Sequence, residues 1–600
     1  MVLPKIERNR IIDLIPYQLK NFPKTAMLSD KVTGKWRSYS TLEVKDIVDK
    51  LSLTLIKLGI EPGDTIGIIS RNRVEWNFID LSVLQVGAIL VPLYPNNSED
   101  NYCFIFDDAN IKLIFVEDSE ILKKVKNVRK RTTAQIREIY TFNKIENSRH
   151  WSELLTQTEE MSRSELNERI NNVKESDVAT VIYTSGTTGI PKGVMLTHNN
   201  IMTNVIALTQ LFPIHLYKRT ISFLPLCHVF EKSSFYFYLL IGAEVNYPES
   251  LETIGENIKE IKPNFFVTVP RLLEKVFEKI MAAGRELSFI KLAIFGWAVN
   301  LANHYDLRGK NNWFYNLRLF FARKIVFVKW QEALGGEVKG IVSGSAALQP
   351  RLARIFTAAG IPVIEGYGLT ETSPVLTCNR FEKGGYFFGT TGRPIPGVSI
   401  KISADDEILA KGPNVMLGYY RNPEATLHAI DSEGWFHTGD TGGLIRGGFL
   451  VINGRLTDIF KTSGGKFVAP QPIENKMKES PFIEHIMVVG DNQKFTAAII
   501  QPKFEFIKKW AEEKNIPLNS PEEIVYSDEV KKRIWKEVQK YNKKFGHVEQ
   551  VKKIALVPDI WSVETGELTP TMKVKRKFLA EKYREQICHI YDAPVITNIL

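Results

Sequence analysis

The sequence predicts an α/β chain: a large N-terminal domain of doubly wound sheets, a small β-rich subdomain, and a smaller α+β C-terminal domain. Three observations predict it. From about residue 41 to residue 368, short apolar runs alternate with helical patterns, the order that builds parallel sheets with covering helices. After about residue 389 this texture gives way to short strands crowded with glycine and proline. From residue 455 onward, strands and charged helices alternate on a smaller scale. The expected division is therefore 1–454, with 389–454 as the β-rich subdomain, and 455–600.

Each element has a local reason. Residues 41–60 carry apolar positions at helical spacing and stop at Gly59, and Pro62-Gly63-Asp64 is a turn. TIGIIS (65–70) reads as a buried strand, VEWNFIDLSVLQVGA (74–88) as a helix, and AILVPLYP (88–95) and IKLIFVED (111–118) as further strands. The alternation continues through NFFVTVP (264–270), GIVSGSAAL (340–348), helix RLARIFTAAG (351–360) and strand PVIEGYG (362–368). GVSIKIS, EILAKGP, GWFHTGD and GGLIRGGFLVING are the short strands of the subdomain. HIMVVG and TAAIIQP are strands of the C-terminal domain.

Composition excludes some classes. The first fifteen residues are charged throughout, which argues against a secretory signal. No apolar run reaches the roughly eighteen residues a spanning helix needs. Cys103, Cys227, Cys378 and Cys588 are far apart and form no C-x-x-C pair, so neither a disulfide framework nor a structural zinc site is expected, and a reducing cytoplasm fits. The net charge of +10 is compatible with nucleic acid, an anionic membrane surface or an anionic substrate, and does not choose among them.

The stretch YTSGTTGIPKGVMLTH (183–198) carries the first chemistry. It is crowded with small hydroxyl and glycine residues and includes Lys192, a composition suited to cradling phosphate. It is not a Walker loop. Pro191 stands where that motif has glycine, Gly193 where it has Ser or Thr, and the flanking runs read as strand and strand rather than strand and helix. Backbone N–H groups, the hydroxyls of Thr184, Ser185, Thr187 and Thr188, and Lys192 would then hold the anion, with Gly186 and Gly189 allowing close approach. Asn199 is expected to cap the next helix.

The loop matches the [YF]-T-S-G-T-T-G-x-P-K-G signature, and the chain resembles the adenylate-forming superfamily of acyl-CoA synthetases, luciferases and peptide-synthetase adenylation domains. Other motifs come in that superfamily's order. SGSAAL (343–348), with Gly344 and Ser345, resembles its glycine-rich nucleotide segment. EGYGLTETSP (365–374) resembles its adenine loop, which implies nucleotide contacts for Glu365, Gly366, Tyr367, Gly368 and Thr370. The resemblance also implies Mg2+ on Glu371 and Thr184, ribose contacts for Asp440 in GWFHTGD, and a ribose or phosphate contact for Arg455. ELTPTMKVKRK (567–577) resembles the C-terminal catalytic-lysine motif, with Lys573 in the lysine position and Met572 in place of the usual glycine. The C-terminal domain is implied to be mobile. Lys461, Ser463, Gly464 and Gly465, with Phe467 nearby, are implied to face the site in the thioester-forming state, and Thr457 replaces a lysine common at the hinge.

LPLCHVFEKSS (224–234) and VPRLLEKVFEKI (269–280) resemble the long-chain fatty acyl subgroup, and His228 is implied to line the acyl site. The long segment 280–342 points the same way. Between residues 301 and 330 it holds six basic residues and one acid, and Phe314, Leu317, Phe321, Ile325 and Val328 fall on one helical face. That face admits two readings, contact with a membrane or packing on the core. The resemblance implies ATP-dependent activation of a long-chain fatty acid to acyl-CoA through an acyl-adenylate. The cofactor would be Mg2+ with ATP, CoA the co-substrate, and nucleic acid no partner; the place would be cytoplasmic, with a peripheral contact on the inner face of the membrane. The alternatives are a fatty acyl-AMP ligase loading a carrier protein, a P-loop-like NTPase releasing ADP, and an inactive membrane-associated acyl-binding protein. No insertion of the kind expected in the first lies between Arg455 and Glu474.

Overall fold

The computed structural model describes residues 3–156, 163–185, 191–250, 252–307, 311–569 and 573–591. The α/β expectation holds. The chain divides into two units. The first comprises residues 1–401, 409–438 and 446–449; the second comprises 402–408, 439–445 and 450–600.

Among the described residues, the first unit contains two large sheets. One is eight-stranded, and in its middle Thr65–Ile69 pairs in parallel with both Ile89–Leu93 and Leu113–Val116. The other is nine-stranded. It runs in parallel from Phe265–Thr268 through Gly340–Ser343 to Val363–Gly368, then reverses into Val375–Cys378. Parallel strands buried on both faces need near-continuous apolar sequence, and Thr65–Ile69, Ile89–Leu93 and Leu113–Val116 are buried at every position.

The covering helices start and stop where their side chains dictate. Thr41–Lys57 begins with a capping box: Glu43 N donates to Ser40 Oγ at 3.2 Å and Ser40 N to Glu43 Oε2 at 2.7 Å. It buries Val44, Val48, Leu51 and Leu55, and Gly59 at φ +73° lets the chain turn away. Helix Val74–Gln85 is buried on all sides except at Gln85. Within it, Asp80 accepts from Lys232 Nζ at 2.5 Å and from Tyr236 Oη at 2.7 Å on helix Val229–Leu240. Removing one member of such a buried pair costs about 3–5 kcal/mol, so this pair fixes the two helices against each other.

Ser399–Ile402, Glu407–Lys411, Phe436–Ile445 and Phe449–Arg455 come next as a four-stranded sheet. The second unit also holds a three-stranded sheet, with Ile483–Val489 antiparallel to Ala497–Pro502 and Lys553–Leu556 parallel to it. Helices Pro470–Met477 and Asp528–Asn542 supply Ile473, Met477, Ile534 and Val538 to the core beside that sheet.

Two local expectations are corrected. The helix after the phosphate loop is His198–Thr209, and its cap is Thr197, not Asn199. Thr197 Oγ1 accepts from Asn200 N while Asn200 Oδ1 accepts from Thr197 N, a reciprocal box that places the start two residues earlier. In the 301–330 segment, helix Trp313–Ala322 runs through a π-helical turn, Arg323–Phe327, into Val328–Ala333. The extra residue in that turn rotates the helix beyond it. Phe314, Leu317, Phe321 and Ile325 therefore share the exposed face, but Val328 is half-buried.

Candidate active site

The first unit gathers its polar groups at the carboxyl ends of parallel strands, where open α/β sheets bind ligands. Strand Val178–Ser185 pairs antiparallel with Pro191–Thr197, so the phosphate loop does join strand to strand. The pairing sets Thr184 opposite Lys192 and Tyr183 opposite Gly193. A Cβ on Gly193 would stand 2.8 Å from Val181 Cγ1 and 3.1 Å from the Tyr183 ring, so this position accepts only glycine without rearrangement. Gly186, Thr187, Thr188 and Gly189 lie outside the described residues, as does the side chain of Ser185.

Glu371 sits in a short helical turn, Thr370–Thr372, immediately after strand Val363–Gly368. Tyr419 Oη donates to Glu371 Oε1 at 3.0 Å, and Lys192 Nζ lies 5.1 Å from the centre of the same tyrosine ring. Tyr419 reaches this place because Gly418–Tyr419 adds to the edge of Pro191–Thr197, with Tyr419 opposite Val194. The backbone around Glu371 is held from several sides. Met416 N donates to Glu371 O at 2.8 Å, and Asn204 and Asn414 donate their side-chain amides to Val375 O at 2.7 and 3.2 Å. Thr184, Lys192, Glu371 and Tyr419 thus form one set: a hydroxyl, an ammonium, a carboxylate and the phenol that joins the last two.

The residues expected to contact adenine lie directly N-terminal to this turn. A Cβ on Gly368 would fall 1.7 Å from Pro374 O, so only glycine fits there. Gly366 is different: a Cβ there would meet Thr377 O at 3.5 Å, an ordinary contact. Tyr367 is half-buried and Thr370 buried. Glu365 is buried and its Oε1 has no hydrogen-bond partner among the described residues; desolvation pushes its carboxyl up to about 8, against a backbone hydrogen bond from Leu348. Gly344 comes directly after strand Gly340–Ser343, and a Cβ there would meet the Phe230 ring at 3.0 Å. Ser345 holds a left-handed conformation, φ +65°. His228, in the predicted acyl segment, is half-buried and caps helix Val229–Leu240: its Nδ1 accepts from Phe230 N at 3.2 Å. In the neutral ring this makes Nε2 the protonated nitrogen.

The second unit assembles the remaining charged residues. Arg455 Nε contacts Asp440 Oδ1 at 2.8 Å, and Asp440 is otherwise buried. Lys573 stands in a small hairpin in which Thr569 N donates to Lys573 O at 2.8 Å and Lys575 N to Glu567 O at 2.8 Å; Met572 lies outside the described residues. Although Lys573 is exposed as a residue, its ammonium is held below the ordinary lysine value. Desolvation is the largest cause and the Arg455 guanidinium adds to it, while Asp440 and Asp458 oppose it. Arg576, three residues on, pairs with Glu474, lies 3.6 Å from Asp458 Oδ2 and donates to Val488 O at 3.1 Å. That clamp fixes the base of the hairpin. The motif's basic residues therefore have different duties, with Arg576 an anchor and Lys573 a cation near Asp440 and Arg455. Lys461 and the 463–465 turn form a second hairpin: Lys461 pairs with Phe467, Lys461 Nζ lies 5.5 Å from that ring, and Gly465 takes φ +77°. Ser463 N donates to Gln493 O at 2.9 Å, and a Cβ on Gly464 would meet Thr462 Oγ1 only at 3.9 Å. Phe467 is 71% exposed, an unusual position for a large aromatic.

The sequence profile of the AMP-binding enzyme family matches residues 16–420, and that of the AMP-binding enzyme C-terminal domain matches residues 457–594. The chain belongs to this family. Among curated relatives of this AMP-binding enzyme, the long-chain-fatty-acid–CoA ligase FadD15 of Mycobacterium bovis is 32% identical over 98% of both chains. The human long-chain-fatty-acid–CoA ligase 1 is 31% identical, covering 93% of this chain and 82% of its own. Among solved structures, the adenylation domain of a carboxylate reductase from Mycobacterium chelonae superposes with TM-score 0.74 at 20% identity, over 97% of this chain and 91% of its own. An anthranilate CoA ligase in complex with anthranoyl-AMP gives 0.70 at 18%, over 96% and 97%. At these identities the structural likeness speaks for the fold.

Tyr419 is one residue of the candidate site that motif reading missed in this AMP-binding enzyme. It lies 48 residues from Glu371 in sequence, and its only signal was the short GYY run ahead of Asn422-Pro423, where a helix starts. Asn204 and Asn414 were missed for the same reason: they act by holding backbone carbonyls and carry no motif of their own.

Proposed function

We propose that this AMP-binding enzyme activates long-chain fatty acids to acyl-CoA, releasing AMP and pyrophosphate. The observation that carries the reading is the match, over 93–98% of this chain, to relatives named long-chain-fatty-acid–CoA ligases. The chemistry of the site supports it. Two anions, a carboxylate and a nucleoside triphosphate, have to be brought together, so fixed cations and donors are the main requirement. Lys192 and the hydroxyls of the 184–193 loop would hold the β- and γ-phosphates. Gly344, Ser345 and the 365–370 strand end would receive the base, and Asp440 with Arg455 the ribose. His228 would line the acyl site.

A divalent cation fits this donor set. Among the described residues no cluster of three metal-ligating side chains exists; Glu371 offers one carboxylate, and Thr184, opposite Lys192, would add a hydroxyl. Mg2+ arriving on a triphosphate needs few protein ligands and takes the rest from phosphate and water. Bound there, it would neutralise charge on the leaving phosphates. Tyr419 holds Glu371 in place through Oε1, so the orientation of that carboxylate does not depend on the metal.

In the first half-reaction a carboxylate oxygen of the fatty acid attacks the α-phosphorus, and the bond to the bridging oxygen of pyrophosphate breaks. Lys573 would neutralise both reacting anions. In the second half, the thiol of CoA attacks the acyl carbon, loses its proton and displaces AMP. The Lys461–Gly465 turn would serve this step, with residues 455–600 moving between the two. This assigns residues 1–454 to nucleotide and acid binding, with 389–454 as the β-rich part, and 455–600 to the mobile catalytic lysine.

The same reading puts the enzyme in the cytoplasm with a peripheral contact on the inner face of the membrane. The four dispersed cysteines, all unpaired, support a reducing compartment. The test is ATP consumption with palmitate, with and without CoA. AMP, pyrophosphate and palmitoyl-CoA support the proposal. ADP as product, or acyl transfer to a phosphopantetheine carrier protein in preference to CoA, refutes it.

A further inference from the structure

We infer that the helix pair Phe289–Asn303 and Trp313–Ala322, with the turn Arg323–Phe327 that follows, is the surface by which this enzyme docks on an anionic lipid bilayer. The inference names the surface for the peripheral contact proposed above and rests on that reading. Helices Phe289–Asn303 and Trp313–Ala322 pack side by side in opposite senses: Tyr315 Oη donates to Leu301 O at 2.8 Å, and Arg318 lies 5.7 Å from the Trp297 ring. Continuing that register brings the first turn, Phe289–Leu292, beside the Phe321–Ile325 end.

The helix pair has two apolar faces. One is the ordinary core face: Leu319, Ala322, Val326 and Trp330 are buried, as are Phe295, Ala298 and Val299 on the neighbouring helix. The other faces water. Phe289 is 87% exposed, Ile290 72%, Trp313 75%, Phe314 54% and Phe320 and Phe321 49% each. Leu317 and Ile325 lie on the same side. Single exposed apolar residues need no explanation, but a helix apolar on both faces needs a second apolar surface, and large aromatics gathered on one exposed surface mark an interaction site.

The charge pattern selects the occupant. Between Leu287 and Tyr305, and between Asn311 and Gln331, there is no Asp or Glu. Lys291, Arg318, Lys324 and Lys329 are exposed in those stretches, and Lys324 Nζ lies 4.6 Å from the Phe320 ring. Tryptophan and phenylalanine flanked by uncompensated lysine and arginine suit the headgroup region of an anionic bilayer, where the rings enter the acyl boundary and the cations stay with phosphate. No helix among the described residues is long and apolar enough to cross a membrane, so the contact would lie in the interface.

Vesicle flotation of the full chain tests this, using phosphatidylcholine vesicles with and without phosphatidylglycerol. Three proteins are compared: the natural chain, Trp313→Ser/Phe320→Ser, and Lys291→Glu/Lys324→Glu. The natural chain should bind the anionic vesicles, more weakly at high salt. Each double variant should lose about tenfold or more in partitioning, the size of a change worth about 1.4 kcal/mol, while its ATP-to-AMP turnover with a soluble medium-chain acid and its melting temperature stay unchanged. If the natural chain binds no vesicle, both the docking surface and the peripheral reading fall. If it binds and the variants bind equally well, the peripheral reading stands and this surface is overturned. If the natural chain is a dimer that the Trp313→Ser/Phe320→Ser variant dissociates, a second copy covers the face and the inference is likewise overturned.

Discussion

The hydroxyl of Tyr419 donates to Glu371 Oε1 at 3.0 Å, and the ring that carries it lies beneath the ammonium of Lys192. One aromatic side chain thus positions both the carboxylate proposed for Mg2+ and the cation proposed for phosphate. A hydrogen bond to a charged group is worth about 1.5–3 kcal/mol. Tyr419→Phe should keep the ring under Lys192 but release Glu371. Its expected effect is a loss of roughly ten- to a hundredfold in kcat/KM for ATP, relieved in part by raising Mg2+, with little change in melting temperature. Steady-state kinetics across a Mg2+ series checks it. A loss that no Mg2+ concentration relieves would place Tyr419 outside the metal's environment.

Lys573→Ala should stop acyl-adenylate formation and leave thioester formation from supplied acyl-AMP much less affected. The pH profile carries a second expectation. Because the Lys573 ammonium sits below the ordinary lysine value in the free enzyme, it loses its charge there at a lower pH than a free lysine, and the alkaline limb of kcat/KM for adenylation should fall correspondingly early. Arg455 is one of the causes, so Arg455→Met should move that limb to higher pH while lowering the rate. Rates of each half-reaction at limiting substrate across pH measure both effects.

Two neighbouring glycines that face backbone carbonyls make opposite predictions. Gly368→Ala places a Cβ 1.7 Å from Pro374 O and should cost several kcal/mol, as forced backbone movement in a packed site does, with loss of activity. Gly366→Ala meets Thr377 O at 3.5 Å and should fold normally. Thermal melts of the two proteins side by side decide it.

Glu231 is fully buried and its carboxyl is pushed up to about 8, chiefly by desolvation, with a hydrogen bond from Ser222 opposing. The folded-state value lies above the unfolded one, so the protonated form favours folding. That contribution is complete below the unfolded value of about 4.3 and is lost as pH rises toward 8, at up to about 1.4 kcal/mol per pH unit. Glu231→Gln, of the same shape and permanently neutral, should flatten the decline of melting temperature between pH 5 and pH 8 and be the more stable protein at the upper end. An equally steep decline in the variant would show that the charge change lies elsewhere.

Much of this site was legible in the sequence because the informative residues are local. Pro191 and the strand character of 192–198 were enough to separate the phosphate loop from a Walker loop, and the register of Thr184 with Lys192 bears that out. Residues remote in sequence were the ones that escaped. Tyr419 arrives through edge pairing with Pro191–Thr197, and Asn414 through a bond to a carbonyl, neither of which has a periodic or compositional trace. The helix start moved from Asn199 to Thr197 because two residues can each cap, and the reciprocal bond with Asn200 chose between them. The exposed aromatic face is legible from helical spacing at Phe314, Leu317, Phe321 and Ile325. Val328 departs because a π turn breaks the periodicity on which that spacing rests.

The central claim is that a fatty carboxylate oxygen bonds to the α-phosphorus of ATP. Turnover of palmitate labelled with oxygen-18 in its carboxyl group, with ATP and CoA, tests it directly by mass spectrometry of the nucleotide. The predicted result is one labelled oxygen in the phosphate of AMP, because thiol attack breaks the bond between the acyl carbon and that oxygen, with no label in pyrophosphate. Unlabelled AMP, or label in inorganic phosphate together with ADP, would contradict it.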